Sequence, residues 1–145
     1  MTTNRPILLV EDNPDDEALA LRAFRKCNIR NPIQIAHDGA EALALLLNDN
    51  EQNPISRHNL PAVMLLDLNL PRVSGLEVLQ QVRAEPDTRH LPIVILTSSK
   101  QDEDLLASYH LGANSYVRKP VDFDEFARAV SQLGMYWLLI NELPY

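Results

Sequence analysis

The chain has 145 residues and a mass of 16.4 kDa, room for one domain of ordinary size. Hydrophobic residues make up 46% and charged ones 23%, enough apolar material for a core and too much for a disordered chain. Thirteen Lys and Arg stand against twenty Asp and Glu, a net charge of −7, which argues against a phosphate-backbone binder, since that needs a clustered basic surface.

Ile7-Leu8-Leu9-Val10 is an unbroken apolar run and predicts a strand buried on both faces. Asn13-Pro14 follows as an N-cap with proline at the first helical position, and Asp15, Asp16 and Glu17 suit the positive end of that helix. Leu19, Ala20, Ala23, Phe24 and Cys27 share its apolar face. Ile33 to Ala36 predicts a second strand, and Gly39 to Leu47 a second helix. Asn48 to Pro61 is polar, rich in Asn and Pro, and predicts a mobile surface loop. Ala62 to Leu66 predicts a third strand, Gly75 to Ala84 a third helix, Pro92 to Leu96 a fourth strand and Asp102 to Leu111 a fourth helix. A short fifth strand at Ser115 to Val117 precedes a last helix from about Asp122, with Phe123, Phe126, Val130, Leu133, Trp137 and Ile140 at helical spacing. This alternation implies an α/β fold, a doubly wound, five-stranded parallel sheet with helices on both faces, of order 2-1-3-4-5. The whole is expected to be a single domain with no output domain behind it, its core about 6–133 and an apolar extension at 134–145. No apolar run is long enough to span a membrane and the start MTTNRP is no signal peptide, so the expected location is cytoplasmic. The lone Cys27 excludes a disulfide framework, and four scattered glycines exclude clustered-glycine phosphate loops.

In such sheets ligands bind beyond the carboxyl ends of the strands, at the switch point between strands one and three. Glu11 and Asp12 follow strand one, Asp67 follows strand three, Thr97 strand four and Lys119 strand five. Taken singly, each has a plain explanation. An Asp after a strand is usually a turn or cap residue, Lys119 a solvated lysine and Thr97 a β-former. Together they put three carboxylates, a hydroxyl and an ammonium in one pocket. Three close carboxylates repel unless a cation sits among them, and hard oxygen ligands open to water suit Mg²⁺ better than zinc. A metal, a carboxylate nucleophile, a lysine and a hydroxyl are what phosphoryl transfer to aspartate requires. His37, His58, His90 and His110 have no metal-ligand spacing and read as surface or loop residues.

The runs LLVEDNP, LLDLNLPRVSG, VILTSS and SYVRKP resemble the receiver domain of two-component response regulators, whose sheet is flavodoxin-like. The resemblance implies that Asp67 is the phospho-acceptor and that Asp12 and Asp67 ligate Mg²⁺, with Mn²⁺ as a substitute. Asn69 would add its backbone carbonyl and Glu11 would act indirectly. Thr97 and Lys119 would attend the phosphoryl group, Thr97 and Tyr116 would be the switch residues, and Ser98 and Ser99 a small-residue wall. The Lys119–Pro120 bond would be cis, aiming the lysine inward. Glu11 stands where aspartate is commoner, and Leu70 where methionine is frequent. The function implied is a stand-alone, non-enzymatic regulator, phosphorylated by a sensor histidine kinase and acting through protein contacts. An aspartyl-phosphate phosphohydrolase is the first rival, and Asn69 opposes it, because such enzymes carry an acid two residues after the nucleophile. A non-phosphorylated docking module is the second, and the intact acid and lysine set opposes that.

The segment VDFDEFARAVSQLGMYWLLINELP, with the long loop after helix two, is similar to phytochrome-associated response regulators, which implies a bacteriophytochrome as the kinase. Six consecutive apolar residues, Met135 to Ile140, cover a whole helix circumference, more than one packed face can bury. A homodimer through Tyr136, Trp137, Leu138, Leu139 and Ile140 is therefore expected, against the alternative that the segment folds back on its own domain.

Overall fold

β1 (Ile7–Val10) and β3 (Val63–Leu66) carry no polar residue and are buried throughout, side by side in a five-stranded sheet. This computed structural model describes residues 4–47, 55 and 59–145. β2 (Ile33–Ala36) lies outside β1, β4 (Ile93–Thr97) pairs with β3, and β5 (Ser115–Arg118) forms the other edge, so the order is β2-β1-β3-β4-β5. Every pairing is parallel, and Ile7 stands opposite both Ile33 and Val63. Side chains alternate along each strand. Leu8, Val10, Met64, Leu66, Ile93 and Ile95 therefore face α2 (Gly39–Leu47) and α3 (Gly75–Ala84). Ile7, Leu9, Val63, Leu65, Val94 and Leu96 face α1 (Pro14–Lys26) and α5 (Phe123–Gly134). α4 (Asp102–His110) packs on the β5 edge, buries little beyond Ser108 and leaves Leu106 and Tyr109 exposed.

Local signals act as expected at the helix starts that frame the carboxyl end of the sheet. Asn13 accepts the backbone N–H groups of Asp15 and Asp16, at 2.9 and 3.3 Å, ahead of Pro14. Ser74 caps α3 by accepting Glu77 N–H at 3.3 Å. Gly75 lies so close to the end of β3 that an added Cβ would come within 2.3 Å of the Asp67 carbonyl oxygen, and its N–H is bound to Leu68 O at 3.0 Å.

Four expectations change. Thr97 ends β4 inside the ladder, opposite Arg118, rather than following it. The loop expected over Asn48 to Pro61 lies mostly outside the described residues, as does His58, but Ile55, Leu60 and Pro61 are buried, with Ile55 in the α2–α3 core. That part is a core element because a polar loop still carries isolated large apolar residues. Regular α-helix stops at Gly134, and Met135–Ile140 winds as a π-helical turn closed by Asn141 N–H to Tyr136 O at 2.6 Å. Trp137 and Leu138 are buried by it in the α1–α5 core, so both belong to their own domain rather than to a free interface. Met135, Tyr136, Leu139 and Ile140 remain exposed. Finally, no cis peptide bond occurs among the described residues. Lys119 points inward with a trans proline behind it, held by its N–H to Thr97 O at 2.8 Å, which continues the β4–β5 ladder by one bond.

Candidate functional site

Glu11 and Asp12 leave β1, Asp67 leaves β3, Thr97 ends β4 and Lys119 leaves β5, all at the same edge of the sheet. Parallel register makes the chain ends adjacent, so residues more than a hundred apart in sequence converge. One oxygen each from Glu11, Asp12 and Asp67 lies within 4.8 Å of the others. Glu11 and Asp67 are buried, and Asp12 is exposed at the pocket mouth. Lys119 Nζ donates to Asp67 Oδ2 at 3.1 Å, to Asp16 Oδ2 at 3.0 Å and to Glu11 Oε1. Its side chain is only 9% exposed.

The charges are unevenly served. Burial pushes the Glu11 carboxyl up to about 7; the hydrogen bond from Lys119 opposes this, and the neighbouring Asp67 charge adds to it. Burial also presses Asp67 upward, but the Lys119 charge, the Thr97 hydroxyl and hydrogen bonds from Glu11 and Lys119 hold it below the ordinary carboxylate value. Lys119 is depressed by burial and lifted further by Glu11, Asp67 and Asp16, so its balance lies above an ordinary lysine. One ammonium thus serves three acids, while Asp12 has no ion-pair partner among the described residues. The donor set fits a small divalent cation: hard oxygens, excess negative charge and one exposed carboxylate.

Asn69 is exposed, and its N–H reaches back to Asp67 Oδ1 at 3.3 Å. The Thr97 hydroxyl oxygen accepts Ser99 N–H at 3.3 Å, and Ser99 Oγ donates to Asp104 Oδ2 at 2.6 Å, tying the pocket wall to α4. Tyr116, on β5, packs with the α2–α3 core, and its hydroxyl is the one buried side-chain polar atom without a partner among the described residues. At the rim His37 Nε2 pairs with Glu17 Oε1 at 2.7 Å, and Arg72 with Asp38 Oδ2 at 3.3 Å. His90 and His110 are exposed, and no described histidine joins the Glu11, Asp12 and Asp67 cluster.

A model of the response regulator receiver domain matches residues 7–131. The chain belongs to the response regulator receiver family. Receivers are two-component signalling modules, and they bind Mg²⁺ or Mn²⁺ in an acidic pocket like that of Glu11, Asp12 and Asp67. The receiver is 36% identical over 138 residues to the response regulator Rcp1 of Synechocystis sp., covering 95% of this chain and 92% of Rcp1. The Mn²⁺-bound form of Rcp1 superposes with a TM-score of 0.86 over 97% of this chain and 99% of that one, at 34% identity. The phosphorylated cyanobacterial phytochrome response regulator RcpA superposes with a TM-score of 0.88 over 99% of this receiver and the whole of that chain, at 31% identity. The bacteriophytochrome response regulator AtBRR is 50% identical, with a TM-score of 0.73 over 95% of this chain and 98% of that one. Among the described residues no helix is long and apolar enough to cross a membrane.

One residue at the centre of the site is missing from the sequence-based set. Asp16 donates nothing to the acidic cluster but accepts from Lys119. In the sequence it is one of three acids in the first turn of α1, which helix electrostatics already explains. Only the inward side of that turn separates it from exposed Asp15.

Proposed function

We propose that this receiver accepts a phosphoryl group on Asp67 from the phosphohistidine of a sensor kinase. The observation that carries the reading is the position of the Lys119 ammonium, 3.1 Å from Asp67 Oδ2, with Glu11 and Asp12 carboxylates within 4.8 Å of the same residue. An Asp67 oxygen attacks phosphorus, the P–N bond breaks, and its electron pair stays on the imidazole nitrogen, which takes up a proton. Asp67 then carries an acyl phosphate. The Lys119 charge, with the Thr97 hydroxyl and the hydrogen bond from Glu11, keeps Asp67 ionised, and so nucleophilic, against a burial that would otherwise protonate it. Glu11, Asp12, Asp67 and the Asn69 carbonyl would hold Mg²⁺ or Mn²⁺, which supplies positive charge against the phosphoryl oxygens. Thr97 and Lys119 offer hydrogen bonds to the same oxygens. Attack of water on phosphorus breaks the bond to Asp67, releases inorganic phosphate and resets the site. Turnover is limited to this slow self-dephosphorylation, because Asn69 supplies no general acid–base where a phosphohydrolase has one.

Thr97 is drawn to the phosphoryl group and Tyr116 turns with it, biasing a two-state surface at α4 and β5. The unpartnered Tyr116 hydroxyl supports this, since leaving a buried hydroxyl unsatisfied is costly and a turn of the ring that gives it a partner is favoured. The likeness to RcpA and AtBRR supports a phytochrome-type kinase as donor and hence a cytoplasmic protein. A homodimer uses the exposed residues of the tail. Asp67→Asn tests the reading: label from a phosphodonor, or binding of beryllofluoride, is expected to disappear while the fold remains. Label that persists on another residue would overturn the acceptor assignment.

A further inference from the structure

Lys119 has three ammonium hydrogens and meets three carboxylates, those of Glu11, Asp16 and Asp67. Asp67 is the reacting group in the function proposed above, on which this inference rests. Glu11 belongs to the acidic cluster that would hold a cation, and Asp16 does not. Asp16 is therefore the one carboxylate on Lys119 committed neither to chemistry nor to metal. Its backbone is fixed, with Pro14 at the first helical position and its N–H capped by Asn13 Oδ1 at 3.3 Å. Asp15, beside it in the same turn, is exposed and touches nothing in the pocket except through the cap.

We propose that Asp16 is a positioning residue that acts through Lys119. Glu11 and Asp16 hold two of the ammonium hydrogens, which leaves the third aimed at Asp67 Oδ2. When a phosphoryl oxygen takes the place beside Asp67, that third hydrogen transfers its bond without the lysine changing position. Asp16 thus spares the reaction the cost of ordering a long, flexible side chain. As the only leg of this support outside the metal cluster, it keeps the lysine in place whatever the state of Glu11.

The test compares Asp16→Ala, isosteric Asp16→Asn and control Asp15→Ala, each in parent and Lys119→Ala backgrounds. Phosphoryl uptake from acetyl phosphate is followed in both backgrounds, and proton exchange at the Lys119 ammonium by ¹⁵N NMR in Mg²⁺-free buffer in the parent background. Asp16→Ala is expected to slow uptake about tenfold, as one charge-assisted hydrogen bond is worth, and to speed ammonium exchange. Asp16→Asn keeps an acceptor oxygen and recovers most of both. In the Lys119→Ala background the effect of Asp16→Ala falls below about twofold, the mark of coupling through the lysine. The same loss in both backgrounds, the same loss from Asp15→Ala, or unchanged uptake and exchange would overturn the proposal. A parent protein that takes up no phosphoryl group overturns the acceptor reading as well, whereas a labelled parent with a normal Asp16→Ala variant overturns this inference alone.

Discussion

At the scale of single residues, Glu11 makes the site costly to the fold. Its carboxyl is raised from 4.5 to about 7, first by burial and then by the Asp67 charge, against the hydrogen bond from Lys119. Below pH 4.5 it is protonated in both the folded and unfolded chain and imposes no penalty. Between there and about 7 the unfolded chain loses its proton first, so stability falls as pH rises and then levels. Asp67, held low, acts below its ordinary 3.8 and Lys119, held high, above its ordinary 10.5, so neither bends the curve in that window. Thermal melts in Mg²⁺-free buffer from pH 5 to 8 should therefore decline in the parent and be flatter in Glu11→Gln; equal slopes would contradict this account of Glu11. Tyr116→Phe removes a buried hydroxyl that has no partner and is expected to raise stability by about 1 kcal/mol, read as an increase in the denaturant midpoint. Glu11, Asp67, Thr97 and Lys119 could be read from the sequence because each lies at the carboxyl end of a strand, and parallel strands bring such ends together. Asp16 could not, because it lies in a helical turn where acids already have a reason to be, and its partner is 103 residues away.

At the scale of elements, the junction of β3 and α3 is where packing sets the chemistry. A Cβ on Gly75 would meet Asp67 O at 2.3 Å and Leu68 Cα at 2.7 Å, both backbone atoms that cannot swing aside. Gly75→Ala should cost about 1–3 kcal/mol by overpacking and, by displacing the loop that carries Asp67, lower phosphoryl uptake as well. Denaturation and labelling of the same variant check both, and a stable, fully active Gly75→Ala would contradict the contact. Five strands and five helices were readable because β1 and β3 are apolar throughout, β4 is apolar up to Thr97, and the helices alternate with them at ordinary spacing. Two features were not. The buried Ile55 is a single apolar residue in a polar stretch, below any periodicity. The π-helical turn after Gly134 keeps the unbroken apolar pattern of a continued helix, so the sequence does not separate it from α-helix.

At the scale of the whole molecule, excess negative charge at one end of the sheet should make stability respond to cations. Mg²⁺ that binds only the folded chain should add about 1.4 kcal/mol at ten times its Kd, and this gain should vanish in Asp12→Ala or Asp67→Ala. A melt indifferent to millimolar Mg²⁺ would count against the acidic pocket as a metal site. The other end of the chain bears on assembly. Trp137 and Leu138 complete the α1–α5 core, while Met135, Tyr136, Leu139 and Ile140 are about half exposed, at 54, 48, 49 and 60%. The six-residue apolar run is thus divided between the two fates its composition allowed, a division that depends on the π-helical winding and not on composition. Light scattering should give about twice the chain mass under a two-fold pairing of these tails. Tyr136→Glu with Ile140→Glu should give folded monomers, whereas charges at Trp137 or Leu138 should unfold the domain. A parent that stays monomeric at high micromolar concentration, with and without phosphorylation, would refute the pairing.

The central claim is that Asp67 carries the phosphoryl group, and mapping the modified residue tests it most directly. The protein is phosphorylated by a sensor histidine kinase in the presence of Mg²⁺, the acyl phosphate is reduced with borohydride, and the digest is sequenced by mass spectrometry. A single reduced residue at position 67 is expected, strongly diminished when Lys119→Ala or Asp12→Ala replaces the parent under the same brief exposure. Modification at Asp12, Asp16 or any other residue in the parent, with position 67 untouched, would contradict it.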